Sequence, residues 1–262
     1  MFKRTISALI GAPIFLVLTY LGGPYTAFLV VILTLLSLWE FLRIGEQMGM
    51  SAWYKLATVA AVVWLISLFS GGKEWMMPIF VFWLLIGLGR VALAYPKIQF
   101  LEASFNLFSV LYAVILLSYF YLLRQLPGGK EWTFLAIFLV WATDIGAYLI
   151  GRQFGRHLLA PKVSPKKTVE GSLGGLVSSI AVAFAFWRLV GGASWLMYIV
   201  LGVVIGISSQ IGDLFESALK RGAGIKDSGN IIPGHGGILD RFDSLIFVLP
   251  LVYYGVILFI VR

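Results

Sequence analysis

Apolar residues in this chain gather in long runs separated by short polar stretches. A transmembrane helix needs about 20 mostly apolar residues. Nine runs approach that length, at 6–22, 25–42, 56–71, 75–93, 105–123, 132–151, 172–190, 195–216 and 244–261. The pattern predicts an all-α, polytopic integral membrane protein of about nine transmembrane helices. The third and fourth runs are short, and the ninth contains Pro250. Lys3 and Arg4 ahead of the first run resemble the start of a signal peptide. That run is long, however, and no small-x-small cleavage site follows it, so it is expected to remain as a span.

The polar interruptions are uneven. Residues 1–131 form a transmembrane body of about five spans with short loops. Residues 132–262 hold about four spans and the two long polar stretches, 151–171 and 217–243. With the N-terminus in the cytoplasm, fifteen of the 20 Lys and Arg fall on the inner side and five outside. That is a strong positive-inside bias. It places both polar stretches in the cytoplasm and the C-terminus outside, in a cell (inner) membrane. Composition agrees: 60% hydrophobic and 12% charged residues depart from the roughly 45–50% and 25% of soluble domains. Disorder, coiled coil and a disulfide scaffold are excluded. The lack of cysteine removes thiolate metal sites and thiol chemistry. The net charge of +8 reflects orientation and anionic headgroups rather than nucleic acid. No internal repeat is evident.

Charge placement then narrows the chemistry, because all five aspartates lie at position 144 or later. Asp144 falls inside the sixth run, where a charge costs roughly 2.5–3.5 kcal/mol on an isolated helix. It either serves a function or pairs with a lysine or caps a broken helix. At the end of the eighth run Asp213, Ser217 and Lys220 share one helical face. An i,i+4 ion pair accounts for Glu216 and Lys220 but leaves Asp213 without an evident partner. The stretch from Lys226 to Ser244 is rich in glycine and contains Pro233. Such a loop can turn backbone N–H groups toward an anion. Asp240 and Asp243 open the last run three residues apart, where acidic residues also suit a helix N-terminus. Together with Asp213 and Asp144 they would gather hard oxygen ligands, which suit Mg²⁺ or Mn²⁺ rather than zinc. His235 is one of two histidines, too few for a zinc site. A backbone-bonded loop histidine and a catalytic base are both open readings.

The stretch 151–171 carries Arg152, Arg156, Lys162, Lys166 and Lys167, then glycines at the mouth of a helix. It lacks the Walker pattern. Anchoring to anionic lipid would explain the charge alone, whereas Ser164-Pro-Lys-Lys-Thr168 beside a glycine-rich helix start favours phosphate. Clustered carboxylates with basic, glycine-rich loops at the cytoplasmic edge suit phosphoryl or nucleotidyl transfer between a soluble nucleotide and a lipid.

These residues resemble a known family. Ser217-Ala-Leu-Lys220-Arg221, Lys226-Asp227 and Pro233-Gly-His235-Gly236-Gly237-Ile-Leu-Asp240-Arg241-Phe-Asp243 are similar to the signature of the CDP-diacylglycerol synthases (phosphatidate cytidylyltransferases), correctly spaced over 27 residues. Asp144-Ile-Gly-Ala-Tyr148 and Ser164 through Gly171 resemble the same family, whereas the first 130 residues match only as a multi-span body. The resemblance implies that CTP and phosphatidic acid in a lipid bilayer give CDP-diacylglycerol and pyrophosphate; direct displacement at the α-phosphorus is the expected route. Mg²⁺ (or Mn²⁺) is expected at Asp213, Asp240 and Asp243 with Asp144, the choice between Asp144 and Asp227 and a second metal ion being left open, and the resemblance further implies a homodimer. Lys167, Lys220, Arg221, Lys226, Asp227, His235 and Arg241 would serve catalysis. Ser164, Lys166, Lys167, Thr168, Gly171, Gly236 and Gly237 would cradle the nucleotide phosphates. A related CTP- or ATP-dependent lipid kinase would use the same metal logic. A secondary transporter with intramembrane Asp ion sites would predict related halves.

Overall fold

A computed structural model describes residues 2–234 and 236–259. The helices are α1 (Phe2–Leu21), α2 (Gly23–Gln47), α3 (Tyr54–Phe69), α4 (Lys73–Ala94), α5 (Phe100–Val110), α6 (Leu117–Arg124), α7 (Gly129–Phe154), α8 (Val169–Val190), α9 (Trp195–Gly222) and α10 (Leu239–Phe259). A π-helical segment, Leu111–Leu116, joins α5 to α6 into one continuous rod. Each of the nine expected spans coincides with a helix among the described residues; the end of the ninth, at 260–261, lies outside them. Among the described residues, seven helices are long and apolar enough to cross a membrane, while Leu9–Leu21 and Tyr54–Phe69 are shorter apolar helices. The fold is all-α and polytopic, with large apolar side chains such as Leu93, Leu189 and Leu173 on its outer surface, as a lipid-facing surface requires.

Two boundaries differ from the hydropathy reading. Helix α9 continues to Gly222, past the end of the apolar run at 216, so Ser217, Lys220 and Arg221 are helical. The segment Ala218-Leu219-Lys220-Arg221 consists of strong helix formers, and Glu216 supports Lys220 one turn on. Helix α10 likewise begins at Leu239, ahead of the apolar run. The stretch 151–171 is not featureless either. It holds an antiparallel hairpin of β1 (Leu158–Ala160) and β2 (Ser164–Thr168), with Leu158 opposite Thr168 and Ala160 opposite Ser164.

The chain packs as two compact units that do not follow chain order. The first comprises Met1–Ser118 with Gly222–Asp240, and the second Tyr119–Arg221 with Arg241–Arg262. In the first, the Phe41 ring packs against Phe105, Phe108 and Tyr112 with centroids 5.0, 5.9 and 5.3 Å away. Asn106 ties the α2–α3 connection to α5. Its Oδ1 accepts from the Trp53 N–H at 2.8 Å, and its Nδ2 donates to the Ser51 and Glu102 carbonyls at 2.9 Å each. The buried Trp64 indole donates to Ser118 at 2.8 Å. These bonds satisfy polar groups that burial would otherwise penalise.

The second unit is organised by glycines. A Cβ at Gly175 of α8 would lie 2.7 Å from the Thr143 carbonyl oxygen of α7, and one at Gly171 would lie 2.7 Å from that of Ala147. Gly212 of α9 approaches the Asp243 carbonyl of α10 in the same way. Small residues at such spacing let membrane helices approach backbone to backbone. That closeness brings Asp144, Asp213 and Asp243 into one neighbourhood.

Candidate active site

In the second unit the site begins at the hairpin. Thr168 ends β2 in an extended conformation and caps α8, its Oγ1 accepting from the Gly171 N–H at 3.1 Å. Side-chain caps of this kind satisfy donors that a helix start leaves open. Glu170 turns back and accepts from the Arg156 and His157 amides at 3.0 and 3.2 Å, while its other oxygen meets His157 Nδ1 at 2.6 Å. The hairpin is thereby clamped at both ends, and the backbone between them presents Lys166 and Lys167. The Lys167 ammonium pairs with the Asp213 carboxylate of α9, and Ser217 Oγ lies 3.4 Å from the other Asp213 oxygen.

Around this pair lies a cavity of about 370 Å³, lined by Asp144, Tyr148, Gly151 and Arg152 of α7, Lys166, Lys167 and Thr168 of β2, Gly171 and Ser172 of α8, and Gln210 and Asp213 of α9. Its wall therefore gathers six of the expected phosphate or metal residues, bringing Asp144 and Asp213 to the 166–171 stretch from two other helices. Asp243, Asp213, Lys167 and Arg241 all lie close enough to Asp144 to act on it electrostatically. Ser164 opens β2 opposite Ala160, away from the lining. Lys220 is held by Glu216 at 2.9 Å, both side chains nearly buried. Arg221 and Arg241 are exposed.

The first unit holds the glycine-rich loop, and the amides expected to face an anion do so. The anion is the protein's own. Glu40 of α2 is wholly buried. Its Oε1 accepts from the Ile238 N–H and its Oε2 from the Leu239 N–H, each at 2.9 Å, and Ser228 Oγ lies 3.0 Å from Oε2. Asp240 completes the arrangement. Its Oδ2 accepts from the Ser228 and Gly237 amides at 2.9 and 2.8 Å, with Ser228 Oγ at 3.0 Å. Gly236 has φ of +86°, and a Cβ there would collide with the Asp240 carboxylate. Asp227 lines a smaller cavity of about 200 Å³ with Arg43, Gln47, Ser228 and Asn230; Lys226 is exposed. His235 lies outside the described residues.

Glu40 is absent from the sequence-based candidates. The signal was available: a carboxylate within the apolar run 25–42 meets the same rule that singled out Asp144. Asp240, expected at a metal, is engaged through Oδ2 in holding the loop.

Among the described residues, no group of three or more His, Asp or Glu side chains is arranged to hold a metal ion by itself. The donor chemistry nonetheless suits Mg²⁺, which commonly takes one or two carboxylates and fills its shell with water and substrate phosphates. Asp144 and Asp213, both on the cavity wall, provide two such carboxylates.

Sequence comparison agrees with this equipment. A cytidylyltransferase family model matches residues 2–259. The phosphatidate cytidylyltransferase of Staphylococcus haemolyticus (strain JCSC1435) is 38% identical over 255 residues, covering 95% of this chain and 96% of its own. That of Staphylococcus epidermidis (strain ATCC 12228) is 39% identical over 254 residues with the same coverage, and that of Staphylococcus aureus (strain COL) is 38% identical over 255. Near-complete coverage at such identity, together with a family model spanning both units, leads to one conclusion: the chain belongs to the cytidylyltransferase family.

Proposed function

We propose that this chain transfers the cytidylyl group of CTP to phosphatidic acid, releasing pyrophosphate and leaving CDP-diacylglycerol in the bilayer. The observation that carries this reading is the cavity in which Lys167 and Asp213 pair beside Asp144, Arg152 and Lys166. A phosphate monoester loses its second proton near pH 6, so phosphatidate is a competent oxyanion at neutral pH and needs no strong base. The attacking phosphate oxygen bonds to the α-phosphorus as the bond to pyrophosphate breaks, without a covalent enzyme intermediate. The obstacle is charge, because two polyanions must meet. Lys166, Lys167 and Arg152 lower that barrier by facing the space where negative charge accumulates. Bound Mg²⁺, held by Asp144 and Asp213 with Asp243 nearby, would neutralise and orient the phosphates.

The basic-residue count supports a cytoplasmic N-terminus and a cytoplasmic site, where CTP is supplied. The family resemblance supports a homodimer, which cross-linking in native membranes would test.

The deciding experiment incubates the purified protein in detergent with α-labelled CTP, Mg²⁺ and phosphatidate. Label enters the organic phase as CDP-lipid with release of pyrophosphate. No transfer under any divalent metal, or release of CDP with phosphorylated lipid, overturns the reading.

A further inference from the structure

We propose that Glu40 is the internal counter-anion that holds the 226–240 loop in its working form, a positioning residue for the transfer reaction. The kinetic part of this inference rests on the cytidylyltransferase reading above; the structural part does not.

Ile238 and Leu239 are buried at the end of the loop, but ahead of them no apolar side chain among the described residues 226–237 is buried. That part is ordered by donors that converge on two carboxylates, Asp240 at the loop's own end and Glu40 from a separate helix. The Ile238 and Leu239 amides stand at the start of α10, where a helix leaves N–H groups without internal partners. Glu40 accepts both from a separate helix at 2.9 Å, one on each oxygen, and Ser228 Oγ stands within bonding distance of Oε2. An ionised carboxylate is the side chain that offers acceptors on both oxygens and no donor. Glutamine would turn an NH₂ group toward one of those amides.

The glycines are shaped around the same group. A Cβ at Gly229 would lie 2.5 Å from Glu40 Oε1, and one at Gly237 would overlap both carboxylate oxygens. Glu40 cannot swing aside to admit them without giving up its amide bonds. The loop so anchored carries Lys226, Asp227 and Asp240, while α10, whose first turn is fixed in this way, continues into Arg241 and Asp243. Glu40 itself is wholly buried and lines neither cavity. It therefore acts through the loop and not on substrate.

Hydrogen–deuterium exchange and steady-state kinetics on the full-length protein in detergent test this. In the wild type, the segment 236–239 exchanges slowly; exchange as fast as in an unstructured peptide overturns the proposal. In Glu40→Ala, exchange accelerates across 228–239 while α7 and α8 stay protected, and kcat falls about 100-fold, the scale of a roughly 1 Å misplacement, with little change in KM for CTP. Retained kcat, or acceleration spread evenly over both units, overturns it. Glu40→Gln recovers only part of the loss. Gly229→Ala, at a position without positive φ, reproduces the loop-specific exchange and the kcat loss. Combined with Glu40→Ala it costs nothing further, and additive losses count against the anchor. Should the wild type transfer no label, the enzymatic reading fails while the exchange data still judge the anchor.

Discussion

Lys167, at the end of a short hairpin, forms an ion pair with Asp213, well inside the longest helix of the chain. Both side chains remain partly open to the cavity, about a third exposed (28% and 34%), so in the proposed reaction the pair would offer a cation to phosphate and an anion to metal at one place. Lys167→Ala and Asp213→Asn are each expected to lower cytidylyl transfer by about 10²–10³-fold, the scale of removing one preorganised electrostatic contact. Groups acting as a unit are strongly non-additive, so the double variant should lose little more than the weaker single one. Fully multiplicative losses in kcat/KM would show that the two act separately.

The proposed function has the carboxylates on the cavity wall hold Mg²⁺. Chelation with EDTA is expected to abolish transfer, and Mg²⁺ to restore it. Asp144→Asn removes one of the two lining carboxylates and should raise the Mg²⁺ concentration needed for half-maximal rate. A Mg²⁺ titration unchanged in this variant would remove Asp144 from the metal assignment.

Glu216 and Lys220 form a buried i,i+4 pair at 2.9 Å, with side chains 1% and 11% exposed. Removing one partner leaves the other buried charge less well compensated, and breaking a buried pair costs up to about 3–5 kcal/mol. Glu216→Ala should therefore lower the unfolding midpoint in detergent, and Glu216→Ala with Lys220→Met should recover most of it. A single variant as stable as the wild type would contradict the burial of the pair.

The α7–α8 contact supplies a stability test. Gly175→Val pushes a side chain into the Thr143 carbonyl, and overpacking of this kind costs about 1–3 kcal/mol. Gly89→Ala in α4, where a Cβ meets nothing within 4 Å, should be neutral or stabilise by about 0.4–1 kcal/mol. Thermal unfolding of the two variants separates crowding from a general effect of replacing glycine.

Orientation is checked by reporters. A fusion after Arg262 should read as external, and an epitope in the β1–β2 turn at Lys162 should be reached only from the cytoplasmic side. Both results on one side of the membrane would refute the nine-crossing topology.

Much of the site was legible because charge in an apolar run is costly. Asp144 stood out for that reason, as did Asp213 once Glu216–Lys220 was set aside as an ordinary ion pair. The partner of Asp213 was not legible. Lys167 lies in another element, and no local pattern couples a hairpin residue to a helix 46 positions away. The glycine-rich loop was expected to turn its amides toward nucleotide phosphate, yet in the structure those of Ile238 and Leu239 meet Glu40, from the second helix of the chain.

The sequence alone determined the helical membrane architecture, because apolar runs of bilayer length admit no other hydrogen-bonded form than helices at this spacing. It also determined which residue types carry the chemistry, because its charges are few and clustered. Only tertiary structure decided how those charges pair. Glycine-mediated helix approach set Asp144 beside Asp213, and burial of Glu40 selected which loop amides it would satisfy. Pairings of this kind depend on distances between elements far apart in the chain, which hydrophobic periodicity does not encode.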